Sequence, residues 1–270
     1  RKGVPVDPEQ LRDRLLGALD DRARRVQSLE DYYTGDHPRP KPPEKLAPEA
    51  FREAVAAWRS LTRLGVTNWV KLVADAPANR IAVTGFRFGE ATSGDGDAWR
   101  IWQRNHLDAD QALVHDNALQ TGQSAVLVWA DKDGEPLITC EHSSQVIVAY
   151  EAGSRRRRRA ALKRWQGDDG RVYCTLYLPN ELRKYRTTAP RGAGQSIDGQ
   201  QSWEPHEVPG EPWPLPNTLG VVPVVEFRAN PSLRPSMFGG GVAEFEPVLP
   251  IQDRINKTVF DRMVTAESQA

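Results

Sequence analysis

The chain has 270 residues, enough for one large domain or two modest ones with ample material for a core. Lys and Arg number 36 and Asp and Glu also 36, so the formal charge cancels; this argues against coating nucleic acid by bulk attraction and leaves room for enclosing it without gripping it. Two cysteines, Cys140 and Cys174, are too few for a disulfide scaffold, and no apolar run reaches the ~18 residues of a membrane span, so the chain reads as soluble and intracellular.

Asp7-Pro8-Glu9-Gln10 predicts a helix start, with Asp as the cap, Pro at the first helical position and Gln able to close a capping box. Leu11, Leu15, Leu19, Arg22, Val26, Leu29 and Tyr33 follow at steps of three and four, and Gly35 stands where a left-handed cap belongs. Residues 37–48 hold five prolines among charges and predict an extended loop. A second helix is expected over 49–64 and a third after Thr67 or Asn68, ending near Pro77. Residues 81–88 alternate like a strand, Asp97 is the expected cap of a short helix carrying Trp99 and Trp102, and 108–122 predict another helix.

From Ser124 the period changes from 3.6 to 2. Residues 124–130 and 136–140 around Asp131-Lys132-Asp133-Gly134 predict a hairpin, with Asp-Gly supplying the positive backbone angles. Residues 145–150, 160–165, 171–178 and 181–186 continue the meander, and 189–216, rich in Gly, Pro, Gln and Ser, read as a surface excursion. Residues 221–227 return as a strand whose Pro223 marks an edge or a start. Gly239-Gly240-Gly241, a hinge at most, precedes a last helix from Val242 onward. The expected class is α+β, with helices over 9–122, an antiparallel sheet over 124–228 and a long C-terminal helix.

On that last helix Val248, Leu249, Ile251, Ile255, Val259, Phe260, Met263, Val264 and Ala266 cover roughly 200° of the surface at 100° per residue. Arg254, Lys257, Thr258, Asp261, Thr265 and Ser268 fill the opposite sector, while Asp253, Asn256, Arg262 and Glu267 intrude on the apolar side. A surface helix needs only about 100° of apolar stripe, so this one is flanked by more than one neighbour. A helix wedged into its own core and a helix standing in a ring of copies both satisfy the pattern. The chain starts at Arg1 rather than Met and stops at Ala270 inside the helical pattern, as expected of a piece of a longer polypeptide.

Catalytic motifs are lacking: there is no GxSxG, no GxxxxGK[ST] and no GxGxxG. Histidines 37, 106, 115, 142 and 206 are scattered; Cys140 and His142 share a strand face, which could floor a pocket in a soluble α+β enzyme, but two ligands make no zinc site. No catalytic, cofactor or metal residue is assigned. Arg155, Arg156, Arg157, Arg158 and Arg159 form the most visible charge run. It has two readings, a nucleic-acid contact and a solvated hairpin arm or subunit contact balanced by Glu151, Asp168 and Asp169. Strand alternation would let only about half of the run reach one ligand, which favours the second. Trp58, Trp69, Trp99, Trp102 and Trp129 lie on apolar faces and are expected in the core.

Several blocks, in order, resemble the portal proteins of siphovirus-type tailed phages. Tyr32-Tyr33-Thr34-Gly35-Asp36-His37 is similar to that family's "YYxGxH" motif. Asn68-Trp69-Val70-Lys71-Leu72-Val73 with Asn79-Arg80 and Val83-Thr84-Gly85-Phe86 looks like its "N…k.iVd…nR..v.Gf" block. The stretch from Asp116 to Ser124 resembles its helix-to-strand step, Gly220-Val221-Val222-Pro223-Val224-Val225-Glu226-Phe227 with Asn230 its "G.vPVv.f.N" strand, and Pro250 to Lys257 its "liD..N" helix. The resemblance implies a non-enzymatic subunit of a ring of about twelve copies at one capsid vertex. Such a ring is a channel for double-stranded DNA in packaging, head–tail joining and ejection. Residues 1–240 would be the peripheral wing and 241–270 the first stem helix, cut before the clip. The implied partners are head-completion or adaptor proteins, capsid or scaffolding protein and terminase; the implied location is the virion, after assembly in the host cytoplasm. Arg254, Lys257 and Asp261 are then candidates for the channel wall, and Val248, Ile255, Val259, Phe260 and Met263 for the subunit interface. The Arg155–Arg159 run and residues 189–216 match no motif of the family.

Overall fold

A computed structural model describes residues 7–37, 64–154, 156–190, 202–231 and 240–268. The first helix, α1 (Pro8–Thr34), starts and stops as its caps require. The Asp7 carboxylate accepts the Glu9 amide at 3.1 Å, and Gly35, at φ 89°, returns its amide to the Tyr32 carbonyl. Asn68 caps α2 (Trp69–Ala78) by accepting the Lys71 amide. The cap of α3 (Gly96–Arg104) is Asp95, not the expected Asp97: Asp95 accepts the Ala98 amide at 2.8 Å, and Asp97 sits in the first turn, where its charge favours the helix dipole. The fourth helix, α4 (Leu107–Thr121), ends on Gly122 at φ 90°. The helix expected at 49–64 and the proline-rich loop lie almost wholly outside the described residues.

Nine strands follow among the described residues: β1 (Gln123–Ala130), β2 (Pro136–Glu141), β3 (Val146–Tyr150), β4 (Arg158–Gln166), β5 (Val172–Tyr177), β6 (Glu181–Thr187), β7 (Trp203–Pro205), β8 (Leu215–Pro216) and β9 (Val224–Arg228). They form two sheets rather than the single expected one: β2-β1-β9 and β3-β4-β5-β6-β7, with β8 beside β6. The β1–β2 hairpin takes its third strand from far along the chain, pairing Ala125 with Glu226 and Val126 with Val225, and so leaves the meander. Pro223 directly precedes edge strand β9, where its missing N–H costs no ladder bond. The described part of 189–216 is not an excursion, since β7 and β8 both pair with β6. Residues 81–88 form no strand; Ile81 and Phe88 are exposed, the Val83 amide goes to the Gln111 side chain, and Phe86 packs on Trp99 and Trp102.

The layers explain the strand sequences. One face of the larger sheet (Ile147, Ala149, Ala160, Leu162, Cys174, Leu176, Tyr185) meets Leu11, Leu15, Leu16 and Leu19 of α1. The other face (Val146, Val148, Tyr150, Ala161, Tyr177, Leu182) meets Ala125 and Val224 of the smaller sheet and Val222 just before β9. β3 is covered on both sides, which is why Val146-Ile147-Val148-Ala149-Tyr150 reads as an unbroken apolar run with every residue buried. A third cluster, Leu29, Tyr32, Val70, Ala74, Ala243 and Phe245, joins the end of α1 to α2 and to the segment before the last helix.

That last helix, α5 (Leu249–Ser268), follows a short 3-10 turn (Glu246–Val248) and does not begin at Val242. A helix from 242 would bury Pro247 and Pro250 in its interior, where each lacks an N–H and clashes with the preceding turn; starting at 249 leaves Pro250 in the tolerated first turn. Gly241 is no hinge. A β-carbon there would lie 1.9 Å from the Gly122 carbonyl oxygen and 2.3 Å from that of Ala229, so residues 241–244 pass in backbone contact with the end of α4. The Glu244 amide donates to the Leu119 carbonyl and the Val242 amide to that of Ala229.

Candidate functional site at the root of the terminal helix

The first two turns of α5 are fastened by polar side chains. Gln252, buried, accepts the Trp69 amide on Oε1 at 2.9 Å and donates from Nε2 to the Thr67 carbonyl at 2.7 Å. One turn later, Asn256 Oδ1 accepts three donors: the Thr67 amide and hydroxyl, both at 3.0 Å, and Gln252 Nε2 at 2.9 Å. Its Nδ2 donates to His37 Nδ1 at 2.7 Å. His37 is itself buried, and its Nε2 donates to the Tyr32 carbonyl at 2.8 Å, so the neutral ring with its proton on Nε2 satisfies both nitrogens. The Tyr32 hydroxyl donates to both Asp253 oxygens, at 2.9 and 3.1 Å. Burial, with the Asp253 bond and charge, raises the phenol to about 12. Arg25 pairs with Glu246 at 2.5 Å just before the helix. Asp253 and Asn256, intruders on the apolar arc by sequence, are thus its anchors.

Beyond the anchors, the expected channel candidates Arg254, Lys257 and Asp261 all lie exposed. Lys257 pairs with Asp261 at 2.7 Å, one turn apart, and Arg254 Nε donates to the Pro250 carbonyl at 3.2 Å. The interface candidates divide. Val248 stands in the 3-10 turn, packed against the third core cluster, and Phe260 is buried within the chain. Ile255, Val259 and Met263 are half-buried, and Ile251 is 50% exposed. Trp69 and Leu72, at the start of α2, are exposed as well, which corrects the expectation of a core role for Trp69. Trp58 lies outside the described residues, and Trp99, Trp102 and Trp129 are half-buried.

Cys140 and His142 turn to different helices. The Cys140 thiol contacts the Asp110 carbonyl on α4, and burial raises its pKa. His142 bonds Glu30 of α1 at 2.7 Å and Ser144 at 2.8 Å. They do not join in a shared site, and among the described residues no group of His, Cys, Asp or Glu could hold a metal ion. In the arginine run, Arg155 lies outside the described residues. Arg157 pairs with Glu151 at 2.9 Å, and Arg158 donates to the Val224 carbonyl at 3.0 Å, tying one sheet to the other. Asp169 serves Tyr173 and Arg171 instead of the run.

A second polar junction escapes sequence reasoning. Glu226 on β9, its side chain only 3% exposed, pairs with Arg228 at 2.6 Å and accepts the Tyr150 hydroxyl at 3.1 Å, with Arg22 of α1 at 3.9 Å. Burial, then the Glu226 charge, raises Tyr150 to about 12. The one signal for this junction was Arg22 standing in the apolar stripe of α1.

The chain matches the family model described as phage portal protein, SPP1 Gp6-like, over residues 12–269. It is 26% identical over 226 residues to the portal protein of Mycobacterium phage D29, covering 78% of this chain and 42% of that one. It is 25% identical over 230 residues to the portal protein of Mycobacterium phage L5, covering 81% and 41% respectively. The chain therefore spans about two-fifths of the length of these curated relatives. Three of the blocks that carry the resemblance meet directly: Tyr32 bonds Asp253, His37 bonds Asn256, and the Trp69 amide bonds Gln252.

Proposed function

Because the chain belongs to the SPP1 Gp6-like family of phage portal proteins, a structural family, we propose that it is the wing and first stem segment of a ring-shaped DNA conduit at the capsid vertex. Residues before 241 form the wing, and α5 is the beginning of the stem. About twelve copies close by rotation, each using one flank of α5 against the opposite flank of the next, a heterologous contact. The observation that carries this reading is the unequal cover of α5. Its root is fixed to its own chain by Gln252, Asp253 and Asn256, while Ile251 is half exposed and Ile255, Val259 and Met263 are half-buried.

Arg254, Lys257 and Asp261 then face the lumen. Their mixed charge, with Lys257 and Asp261 already paired, suits DNA that slides, since many fixed phosphate contacts would hold it in place. Through the ring DNA would enter under a terminase and leave at infection, with head-completion and capsid or scaffolding proteins bound to the outer surfaces in the virion. The reading is tested by negative-stain imaging of the full-length protein. Closed rings with a central hole are expected; compact single particles under all conditions would reject it.

A further inference from the structure

We infer that Asn256, with His37, Gln252 and Thr67, sets the rotation of α5 about its own axis, and is a positioning residue rather than a simple anchor. This rests on the portal reading for its consequence, namely which side chains face sister subunits and which face the lumen. Apolar packing alone cannot fix that rotation. An arc of roughly 200° lets a helix roll by tens of degrees and still present apolar surface to the same neighbour.

Hydrogen bonds are directional where apolar contact is not. Asn256 Oδ1 meets three donors and Nδ2 meets one acceptor, His37 Nδ1. Exchanging the amide's oxygen and nitrogen would aim an N–H₂ at three donors, so only one orientation serves. A roll by one residue position, about 100°, would break the three bonds to Thr67 and His37, while the Gln252 bond, internal to α5, would turn with the helix. It would also strip Gln252 of its bonds to Trp69 and Thr67 and leave His37 Nδ1 unsatisfied, both residues being 2% exposed. Along a stiff helix the error would propagate unchanged, bringing Val259 and Met263 toward where Lys257 and Asp261 now stand. The sequence carries the pieces far apart, at 37, 67 and 252–256, and the fold closes them into one relay.

The test uses the chain with Cys140 replaced by Ser and spin labels at two exposed positions, 132 in the β1–β2 turn and 257 on α5. With the labelled chain diluted into an excess of unlabelled chain, so that only distances within one copy are read, a single narrow distance is expected for the otherwise unchanged protein. Asn256→Asp keeps an oxygen facing the three donors, and its second oxygen shares a proton with His37, so the narrow distance is retained. Asn256→Leu, of similar size but without polar atoms, gives a distribution at least twice as wide, with unchanged helix content. Should Asn256→Leu not fold, Thr67→Val removes one donor and carries the same test with a smaller broadening. Native width in the Leu variant (or, where it does not fold, in the Val variant), or equal broadening in the Asp variant, would overturn the inference. A chain that shows the narrow distance yet never forms rings removes the portal reading and leaves the relay standing.

Discussion

The double-sheet body and the root of α5 hold together by different physics. In the body, Leu15, Leu19, Leu162 and Leu176 are wholly buried between α1 and the larger sheet, and stability follows the apolar area removed from water. At the root, the fastening comes from an amide, a carboxamide, an imidazole and a phenol, each with assigned partners. Burial is indifferent to direction and tolerates swaps that conserve volume. A bonded polar set tolerates volume-neutral changes badly and fixes one geometry. A body that need only be solid, joined to a helix that must point one way, calls for this division.

The largest effect is expected at the seam between α4 and the segment leading into α5. Gly241→Ala puts a methyl 1.9 Å from the Gly122 carbonyl oxygen and 2.3 Å from that of Ala229, both backbone atoms that cannot swing away. Destabilisation by about 4 kcal/mol or more is expected in thermal or urea unfolding, at the high end for a single substitution. In the body, Leu162→Ala should cost about 2–5 kcal/mol by loss of transfer energy and creation of a cavity, while leaving the rotation of α5 intact.

The pH dependence separates the regions next. Tyr32 at the root, Tyr150 at the sheet junction and Cys174 in the core are each raised to about 12, in every case first by burial. A raised folded pKa means the contribution is whole below the unfolded value and is lost as pH climbs through the folded one. Stability should therefore fall from about pH 9 for the thiol and pH 10 for the phenols toward pH 12. Tyr32→Phe should flatten the phenolic part at the root, seen as α5 releasing at the same low protection across that range in hydrogen exchange. Smallest of all, reversing the charge of Arg156 and Arg157 should change stability by no more than about 0.5 kcal/mol. On the portal reading it should also leave DNA retention in assembled particles unchanged, because Arg157 is already paired with Glu151 and Arg158 is engaged by the Val224 carbonyl.

Local signals were legible where the physics is local. Asp7, Pro8 and Gly35 bound α1, Asn68 starts α2, and Gly134 turns the hairpin at φ 81°. The split into two sheets was hidden because β9 joins β1 across the whole meander, and period-2 alternation says which residues face a core but not which strand is beside them. The start of α5 was readable from Pro247 and Pro250, yet its apolar period runs past both. Polar residues on the apolar arc, Asp253 and Asn256, were the signal for the root, but their partners at 32, 37 and 67 are far away in sequence. Gly241 differs from its neighbours only through a contact with Gly122 that no spacing encodes.

Hydroxyl-radical footprinting of the full-length protein, below and above the concentration at which it assembles, bears most directly on the central claim. Met263 and Ile251 should react readily in the dilute protein and lose most of that reactivity on assembly, while buried Phe245 stays protected throughout. Equal reactivity of Met263 and Ile251 at both concentrations would show that no sister copy covers the flanks of α5, and would contradict the account.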